Sequence, residues 1–500
     1  MSEHAYTRLE RRFARMATLG EATGMLTWDT QVMMPTGARE ARGEQLATLD
    51  VMAHEMLTDP RVGELLDAAE QDADALGPWQ RANLAEMRRE WRHATAVPPR
   101  LVEALTRATR QCEHVWRDAK PAADFARVAP YLDEVRTLTR EQGEAKAEAL
   151  GVSVYDALLD QFEPGMRAAR IDAIFDDLAA FLPGMLNAVL ARQREQPAPE
   201  RPAGPFPPAQ QAELGRALMM LVGLEPEHTR LDTSSHPFSG GTPDDVRLTT
   251  RWDETDFTSG AMGVIHESGH GLYERGLPEA WRRQPVGAAR GMVLHESQAL
   301  LAEMQVSRGL AFLTHAAPIM QRQLDGGGPA WPAANLHRLA TRVEPGFIRV
   351  DADEVTYPAH VILRYRLEAA MLAGDLPVAE LPGAWNDGMR ELLGIVPPDD
   401  GKGCLQDMHW FDGAWGYFPT YTLGALAAAQ LFRALREQVP EVPGCLENGD
   451  IGPVLAWLRG NVHALGSSLS TDAILERATG QPLSAEPFKA HLRERYLGEG

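Results

Sequence analysis

The sequence predicts a mainly α protein with one small β-sheet, and three observations carry this prediction. From residue 5 to about 195, and again from Thr258 onward, apolar residues recur at spacings of three and four with charges between them. That period is typical of amphipathic helices. Residues 228–256 instead are rich in Thr, Ser, Gly and Asp, with the short apolar alternation of "VRLTTRW" that indicates strands. Six prolines between residues 197 and 208 exclude a regular element there.

These observations also divide the chain. We expect the proline-rich stretch 197–208 to be an exposed connector between an N-terminal helical lobe, about residues 1–196, and a second part, residues 209–500. Within the second part, "DADEVTYPAHVILRYRLEAAMLAGDLP" predicts a long helix with Pro358 near its first turn and Gly374 past its end.

Composition and charge exclude several classes of partner. The formal net charge of -21 over 500 residues repels phosphate backbones and anionic lipid headgroups, so we expect neither nucleic acid nor membrane as a partner. No apolar run is expected to span a bilayer, because "LGALAAAQLF" ends at Arg433. Three widely separated cysteines and an N-terminus without an uninterrupted apolar core favour a cytoplasmic location.

The stretch "GVIHESGHGLYE" carries the main chemical signal. His266 and His270 are four residues apart, so on a helix they project from one face and can bind one zinc ion. Glu267 would accept a proton from the attacking water and pass it to the leaving amine. Small Ser268 and Gly269 would leave room beside the metal. The alternative is a chance pair, because a helical histidine is more often a surface or core residue.

A catalytic zinc site needs a third protein ligand, and "GMVLHESQALLAE" supplies a candidate. Glu296 lies on the next predicted helix, far enough along the chain to fold back against the first. A carboxylate there would complete a His, His, Glu set. From spacing alone, His295, Glu274 and Glu303 remain rivals for that position.

Seven short motifs occur along the chain: "WDTQVMMPTGA" (28–38), "HPF" (236–238), "DVRLT" (245–249), "HESGH" (266–270), "HESQ" (295–298), "IRVDAD" (348–353) and "GCLQDMHW" (403–410). In their order and spacing, the chain resembles the thermostable carboxypeptidase family of zinc metallocarboxypeptidases. The resemblance extends over essentially the full length.

The resemblance implies one Zn²⁺ per chain on His266, His270 and Glu296, with Glu267 as the general base. It also implies two helical lobes flanking a deep active-site groove, similar to neurolysin and angiotensin-converting enzyme, and a homodimer. The lobes would then form one catalytic unit. Co²⁺ or Mn²⁺ could replace zinc, because selectivity among these metals depends on geometry and availability.

The resemblance extends to an aromatic segment. His409 and Tyr421, in "DMHWFDGAWGYFPTYTLG", resemble the pair that stabilises the transition state in related helical metallopeptidases. Tyr417 is the other tyrosine available for this role or for substrate binding. The alternative is an aromatic core whose hydroxyl groups are merely satisfied.

Two arginines are candidates for binding the substrate carboxylate, because a guanidinium fork can bind both oxygens. Arg349 lies in "IRVDAD" and Arg247 in "DVRLT", motifs that the resemblance assigns to closing one end of the groove. His236 of "HPF" would line the same end, or be a structural histidine. The alternative for each arginine is an internal salt bridge, with Asp245 for Arg247 and with Asp351 or Asp353 for Arg349.

The sequence therefore predicts a cytoplasmic zinc carboxypeptidase that releases single residues from peptides with a free C-terminal carboxylate. The nearest alternative is an oligopeptidase or dipeptidyl carboxypeptidase with the same zinc site and a more open groove. A distant alternative is a non-catalytic helical scaffold.

Overall fold

A computed structural model describes residues 4–499 and confirms the mainly α class. The N-terminal stretch is helical throughout, as its periodicity predicts. The helices before the sheet are α1 (Ala5–Val32), α2 (Arg39–Thr58), α3 (Pro60–Gln71), α4 (Pro78–Ala96), α5 (Pro99–Ala122), α6 (Phe125–Leu150), α7 (Val154–Leu159), α8 (Ala168–Arg194) and α9 (Pro208–Leu221).

Helical structure resumes after the sheet and continues almost to the end of the described chain. The helices there are α10 (Phe257–Gly276), α11 (Gly291–Leu300), α12 (Leu310–Gln323), α13 (Ala333–Ala340), α14 (Tyr357–Ala373), α15 (Leu381–Leu393), α16 (Pro419–Gln438), α17 (Val442–Glu447), α18 (Gly452–Asn461), α19 (Thr471–Thr479) and α20 (Glu486–Leu492). A π-helical segment, Leu301–Ser307, directly extends α11.

The sheet lies where the sequence predicts it and has three strands, β1 (Thr229–Thr233), β2 (Phe238–Thr242) and β3 (Asp245–Thr250). The strand order is β1, β3, β2, with β1 parallel and β2 antiparallel to the central strand. Val246 and Leu248 of β3 are buried, which is the alternation that "VRLTTRW" predicts.

Contacts gather the chain into two compact units, each assembled from three separate segments. The first unit contains Met1–Ala94, Pro199–Ala340 and Ala427–Leu483, and the second contains Thr95–Ala198, Thr341–Leu426 and Ser484–Gly500. The chain passes from the second unit to the first once inside the predicted connector, between residues 198 and 199. The predicted parts 1–196 and 209–500 nevertheless each contribute to both units. The reason is that apolar helix faces pack against partners remote in sequence, a pairing that local periodicity does not specify.

In the first unit, α10 packs against β3, α9 and α11. Helix α10 lies so close to its neighbours on two sides that only glycine fits at the contact positions. A Cβ at Gly271 would lie 2.8 Å from Val246 Cγ1 of β3, and one at Gly269 would lie 2.5 Å from the Cα of Ala299 in α11. Such distances are shorter than real Cβ contacts, so both glycines allow α10 to be enclosed by its neighbours.

In the second unit, most side chains of α14 are buried. Its ends match the sequence prediction, because Pro358 is in the first turn and Gly374 follows the helix in a left-handed conformation with φ 91°. Helix α14 packs against α6, α8 and α15. Trp385, Trp415 and Phe418 are among the large, fully buried side chains of this unit.

Helix α8 corrects one expectation drawn from the sequence. By length and composition this helix of 27 residues is apolar enough to cross a membrane, although core helices of soluble proteins pass the same test. Its acidic residues are paired within the protein. Asp172 accepts a hydrogen bond from Tyr365, Asp176 pairs with Arg366, and Asp177 pairs with Lys489. These pairs and its buried apolar side chains are the features of a helix packed in the second unit.

Candidate active site

His266 and His270 lie one turn apart on α10, as their spacing predicts, with ring centroids 5.1 Å apart. The helix begins at Phe257. Asp256 is the cap, and its carboxylate accepts the backbone N–H of Thr258, so Thr258 and Ser259 lie inside the first turn.

Glu296 faces the two histidines from α11. One of its carboxylate oxygens lies 4.0 Å from Nε2 of His266, and the other lies 3.7 Å from Nε2 of His270. The three residues form a group whose candidate ligand atoms all lie within 4.8 Å of one another. The close crossing at Gly269 brings α11 to this distance. Gly269 therefore serves helix packing rather than leaving space beside a metal.

The far side of each imidazole is already hydrogen-bonded, which fits a metal on the near side. Nδ1 of His270 donates to the backbone carbonyl of His295 at 3.1 Å. Nδ1 of His266 lies 3.0 Å from a carboxylate oxygen of Glu303. Because these partners are acceptors, they hold the proton on Nδ1 and leave the Nε2 lone pair free to bind a cation. Two such nitrogens and a carboxylate are the ligand set of many catalytic zinc sites.

Glu303 is itself held in place as an anion. Arg308 donates to its carboxylate at 2.6 Å. Burial opposes ionisation of Glu303, but the charge of Arg308 and the hydrogen bond to His266 outweigh it and lower the pKa of Glu303 to about 2. Glu303 was a rival for the third ligand position, and the structure places it behind His266 instead.

Glu267 lies beside the ligand pair and is buried. Burial raises the pKa of its carboxyl group to about 7, opposed by the nearby His266 and by a hydrogen bond from Ser239 of β2. A carboxylate with a pKa near neutrality can both accept and return a proton. The arrangement therefore suits a general base.

The remaining rivals for the third ligand form a separate pair. Nε2 of His295 lies 3.1 Å from a carboxylate oxygen of Glu274. The ring of His295 stacks on that of His270 with centroids 4.5 Å apart. Neither side chain belongs to the candidate ligand group, and His295 supports His270 through its backbone carbonyl and by stacking.

In the second unit, His409 and Tyr421 are in contact, with Nε2 of His409 3.1 Å from the Tyr421 hydroxyl group. The His409 ring also packs against Phe418 and Tyr417, with centroid distances of 4.5 and 5.6 Å. The ring of Tyr417 packs edge-on against Phe162. Both predicted tyrosines are thus next to His409, and Tyr421 is the one hydrogen-bonded to it.

Arg349 is buried in the same unit and pairs with an aspartate that the sequence analysis did not consider. Its Nη2 lies 2.8 Å from Asp407, and its guanidinium group lies 4.7 Å from the ring centroid of Tyr421. The expected partners have other positions. Asp353 accepts backbone N–H groups at the start of the 354–356 turn, and Asp351 is exposed.

Arg247 and His236 lie in the first unit. Arg247 forms a two-bond pair with Asp245, the alternative that its motif suggested, and its guanidinium group lies 4.8 Å from the ring centroid of Trp28. His236 is exposed, and its backbone carbonyl accepts a hydrogen bond from Ser234. Whether either residue contacts substrate stays a prediction.

Comparison with known proteins decides the family. A family profile described as Carboxypeptidase Taq (M32) metallopeptidase matches residues 8–496. The chain belongs to this family. Thermostable carboxypeptidase 1 of Thermus thermophilus is 37% identical over 99% of this chain and 98% of its own length. Carboxypeptidase 1 of Bacillus subtilis is 31% identical over 96% of each chain. The protein is therefore a metallocarboxypeptidase, a hydrolase acting on peptide bonds.

Solved structures of the M32 family have the same fold. Metallocarboxypeptidase 1 of Trypanosoma cruzi superposes with a TM-score of 0.96 at 40% identity, covering 98% of this chain and 99% of its own. The M32 carboxypeptidase of Deinococcus radiodurans superposes with a TM-score of 0.91 at 32% identity, covering 98% of each chain.

The sequence did not single out three residues that contact the candidate site residues directly or through one another, namely Ser239, Asp407 and Arg364. Ser239 follows "HPF" directly and Asp407 lies inside "GCLQDMHW", so their places in these motifs were the available signal. Arg364 lies within α14, where its charge among apolar residues was the signal.

Proposed function

We propose that this M32 metallocarboxypeptidase is a zinc enzyme that releases single amino acids from the C-terminus of peptides. The observation that carries the proposal is the group of His266, His270 and Glu296, with both imidazole Nδ1 atoms hydrogen-bonded elsewhere and Glu267 buried beside it. Zinc, one ion per chain, is the metal that this donor set suits best. Co²⁺ and Mn²⁺ are possible substitutes.

Each residue of the proposed site has a separate role in the hydrolysis of the peptide bond. Bound zinc would polarise the scissile carbonyl group and lower the pKa of water. Glu267 takes a proton from the attacking water and delivers it to the leaving amine. His409 and Tyr421 donate hydrogen bonds to the negative charge that develops on the carbonyl oxygen. This role rests on their mutual hydrogen bond and on the family resemblance.

The proposed substrates are peptides with a free C-terminal carboxylate. Arg349 is the proposed anchor, because a buried guanidinium group makes strong charge-assisted bonds to a carboxylate. Arg247, His236 and Tyr417 are proposed as further substrate-binding residues. We also propose a cytoplasmic homodimer. The three cysteines, which are all free, are consistent with a reducing compartment.

The test compares one defined peptide with its C-amidated form and follows the products by mass spectrometry over time. The proposal expects the free-acid peptide to lose one residue at a time from its C-terminus, and the amidated peptide to be a poor substrate. Release of dipeptides would favour the dipeptidyl carboxypeptidase alternative. Equal cleavage of both peptides at internal bonds would contradict the proposal and favour an oligopeptidase.

A further inference from the structure

A buried cluster of three charged residues in the second unit contains two arginines and one aspartate. Arg349 is 6% exposed and Arg364 is 0% exposed. Arg349 Nη2 donates to Oδ1 of Asp407 at 2.8 Å, and Arg364 Nε donates to Oδ2 at 2.6 Å. Arg349 Nε also donates to Oδ1 and Oδ2 of Asp407, at 3.2 and 3.4 Å, so the two guanidinium groups share one carboxylate.

The shared carboxylate balances only one of the two positive charges. The neighbouring imidazoles add none, because burial and the two arginines lower the pKa of His360 to about 3 and that of His409 to about 4. Burial also lowers the pKa of Arg364, to about 10, which still leaves it protonated at neutral pH. The cluster therefore carries one positive charge in excess inside a poorly solvated region.

Arg364 is enclosed and incompletely satisfied. Its Nη1 donates to the His360 carbonyl, and its guanidinium group lies 4.5 Å from the ring centroid of Trp385. Its Nη2 is buried and has no hydrogen-bond partner among residues 4–499. A buried charged donor without a partner is costly. A buried unsatisfied group in a native structure needs an explanation, and a role in catalysis is one of those known.

Arg349 is fixed by contacts that do not depend on Arg364. The Arg349 backbone N–H donates to the Gln406 side chain at 2.8 Å, and Gln406 in turn donates to the Phe347 carbonyl at 2.9 Å. Asp407 and the ring of Tyr421 hold its guanidinium group. The backbone anchor through Gln406 does not involve Arg364, which acts on Arg349 through their shared partner Asp407, and its distinct contribution is charge.

We propose that Arg364 is a positioning residue that acts through Asp407, keeping Arg349 electrostatically attractive to the C-terminal carboxylate of the substrate. Without a second cation, Asp407 would neutralise Arg349 and remove most of its attraction for another anion. With Arg364 present, the cluster stays positive by one charge until a substrate carboxylate arrives. This inference rests on the proposed carboxypeptidase function, and it identifies Arg364 and Asp407 as determinants of selectivity for free-acid peptides.

Three variants separate charge from structure. Arg364→Met removes the charge and keeps much of the side-chain volume, and Arg364→Lys keeps the charge but not the fork. The double variant Asp407→Asn, Arg364→Met restores one excess positive charge, because it removes one charge of each sign. For each variant, kcat and KM are measured on a free-acid peptide and on its C-amidated form. Bound metal and the unfolding transition are the controls for integrity.

We expect Arg364→Met to raise KM for the free-acid peptide about tenfold or more, with a smaller change in kcat. Selectivity for free acid over amide should fall by a similar factor. Arg364→Lys should keep most of that selectivity, and the double variant should recover part of what Arg364→Met loses. A purely structural role predicts the opposite order, since the double variant perturbs the cluster twice.

The outcomes distinguish this inference from the proposed function. If the wild-type enzyme does not discriminate between free-acid and amidated peptides, the carboxypeptidase proposal fails. The inference about Arg364 then fails as well, because it depends on that proposal. If the wild type discriminates but folded Arg364→Met discriminates equally well, the inference alone is overturned. It is also overturned if the double variant is no more selective than Arg364→Met, or if folded Arg364→Lys loses as much selectivity as Arg364→Met.

Discussion

At the scale of single residues, the candidate site depends on which atom of each side chain is already engaged. His266 and His270 both use Nδ1 for an acceptor on the protein, which leaves Nε2 for a metal. Ser239 hydrogen-bonds to Glu267, and Glu303 hydrogen-bonds to Nδ1 of His266. Each thus supports a candidate functional group from its far side. Supporting bonds of this kind orient ligands and tune their basicity.

The first prediction concerns the general base. Glu267→Gln should keep the fold and the metal but reduce kcat by about 10²-fold or more, because an amide cannot accept the proton of the attacking water. Steady-state kinetics and metal analysis check this together. Exposed Glu279 offers a matched control, since Glu279→Gln should leave kcat unchanged. Near-normal turnover in Glu267→Gln would remove Glu267 from the mechanism.

The second prediction separates the third ligand from its neighbour. Glu296→Ala should lose both bound metal and activity, because it removes one of three protein ligands. His295→Ala should retain most of the metal, since the group that bonds His270 is the backbone carbonyl, and the substitution removes only the ring stacking on His270 and the side-chain contact with Glu274. Metal content after dialysis distinguishes the two variants. Tight stoichiometric metal in Glu296→Ala would redirect the search to Glu303 or Glu274.

At the scale of elements, the site is made by a crossing of two helices. Helices α10 and α11 meet at Gly269, where the absence of a Cβ lets Ala299 and the Gln298 carbonyl approach. That crossing sets the distance from Glu296 to both histidines. The π-helical turn that follows α11 carries Glu303 to the far side of His266.

The third prediction follows from the crossing. Gly269→Ala would place a Cβ 2.5 Å from backbone atoms of α11, so the helices must separate. We expect weaker metal binding and a loss of stability of about 1–3 kcal/mol, the cost typical of overpacking. Competition with a chelator and denaturant unfolding measure the two effects.

Gly184 in α8 provides the matched control for this prediction. A Cβ there meets no atom within 4 Å, so Gly184→Ala should be neutral or slightly stabilising. If Gly269→Ala binds metal as tightly as the wild type, the crossing does not set the ligand geometry.

The sequence predicts elements better than it predicts their partners. The spacing of His266 and His270, the sheet at 228–256 and the ends of α14 follow from local period and capping signals, and the structure confirms them. Spacing alone left Glu296 with three rivals, because the angle between two helices depends on contacts such as Gly269 with Ala299. The pairing of Arg349 with Asp407 joins remote segments, and local residue patterns do not encode it.

At the scale of the whole molecule, the chain returns repeatedly to each of its two units. The candidate metal ligands His266, His270 and Glu296 belong to the first unit, and the arginine cluster and the His409 and Tyr421 pair belong to the second. The proline-rich residues 197–208 contain only one of the several points at which the chain passes from one unit to the other. Cutting the sequence at that one place therefore does not separate the two units. The family profile nevertheless matches residues 8–496 as a single stretch that includes segments of both units.

Stepwise reconstitution tests whether His266, His270 and Glu296 hold one catalytic zinc ion. The purified protein is stripped with a chelator, zinc is added back in fractions of an equivalent per chain, and bound zinc and carboxypeptidase activity are measured at each step. If these three residues hold the ion, activity rises linearly with bound zinc and reaches its plateau at one equivalent, with no such rise in Glu296→Ala. Full activity in the stripped protein, or a plateau in Glu296→Ala equal to that of the wild type, would contradict this assignment.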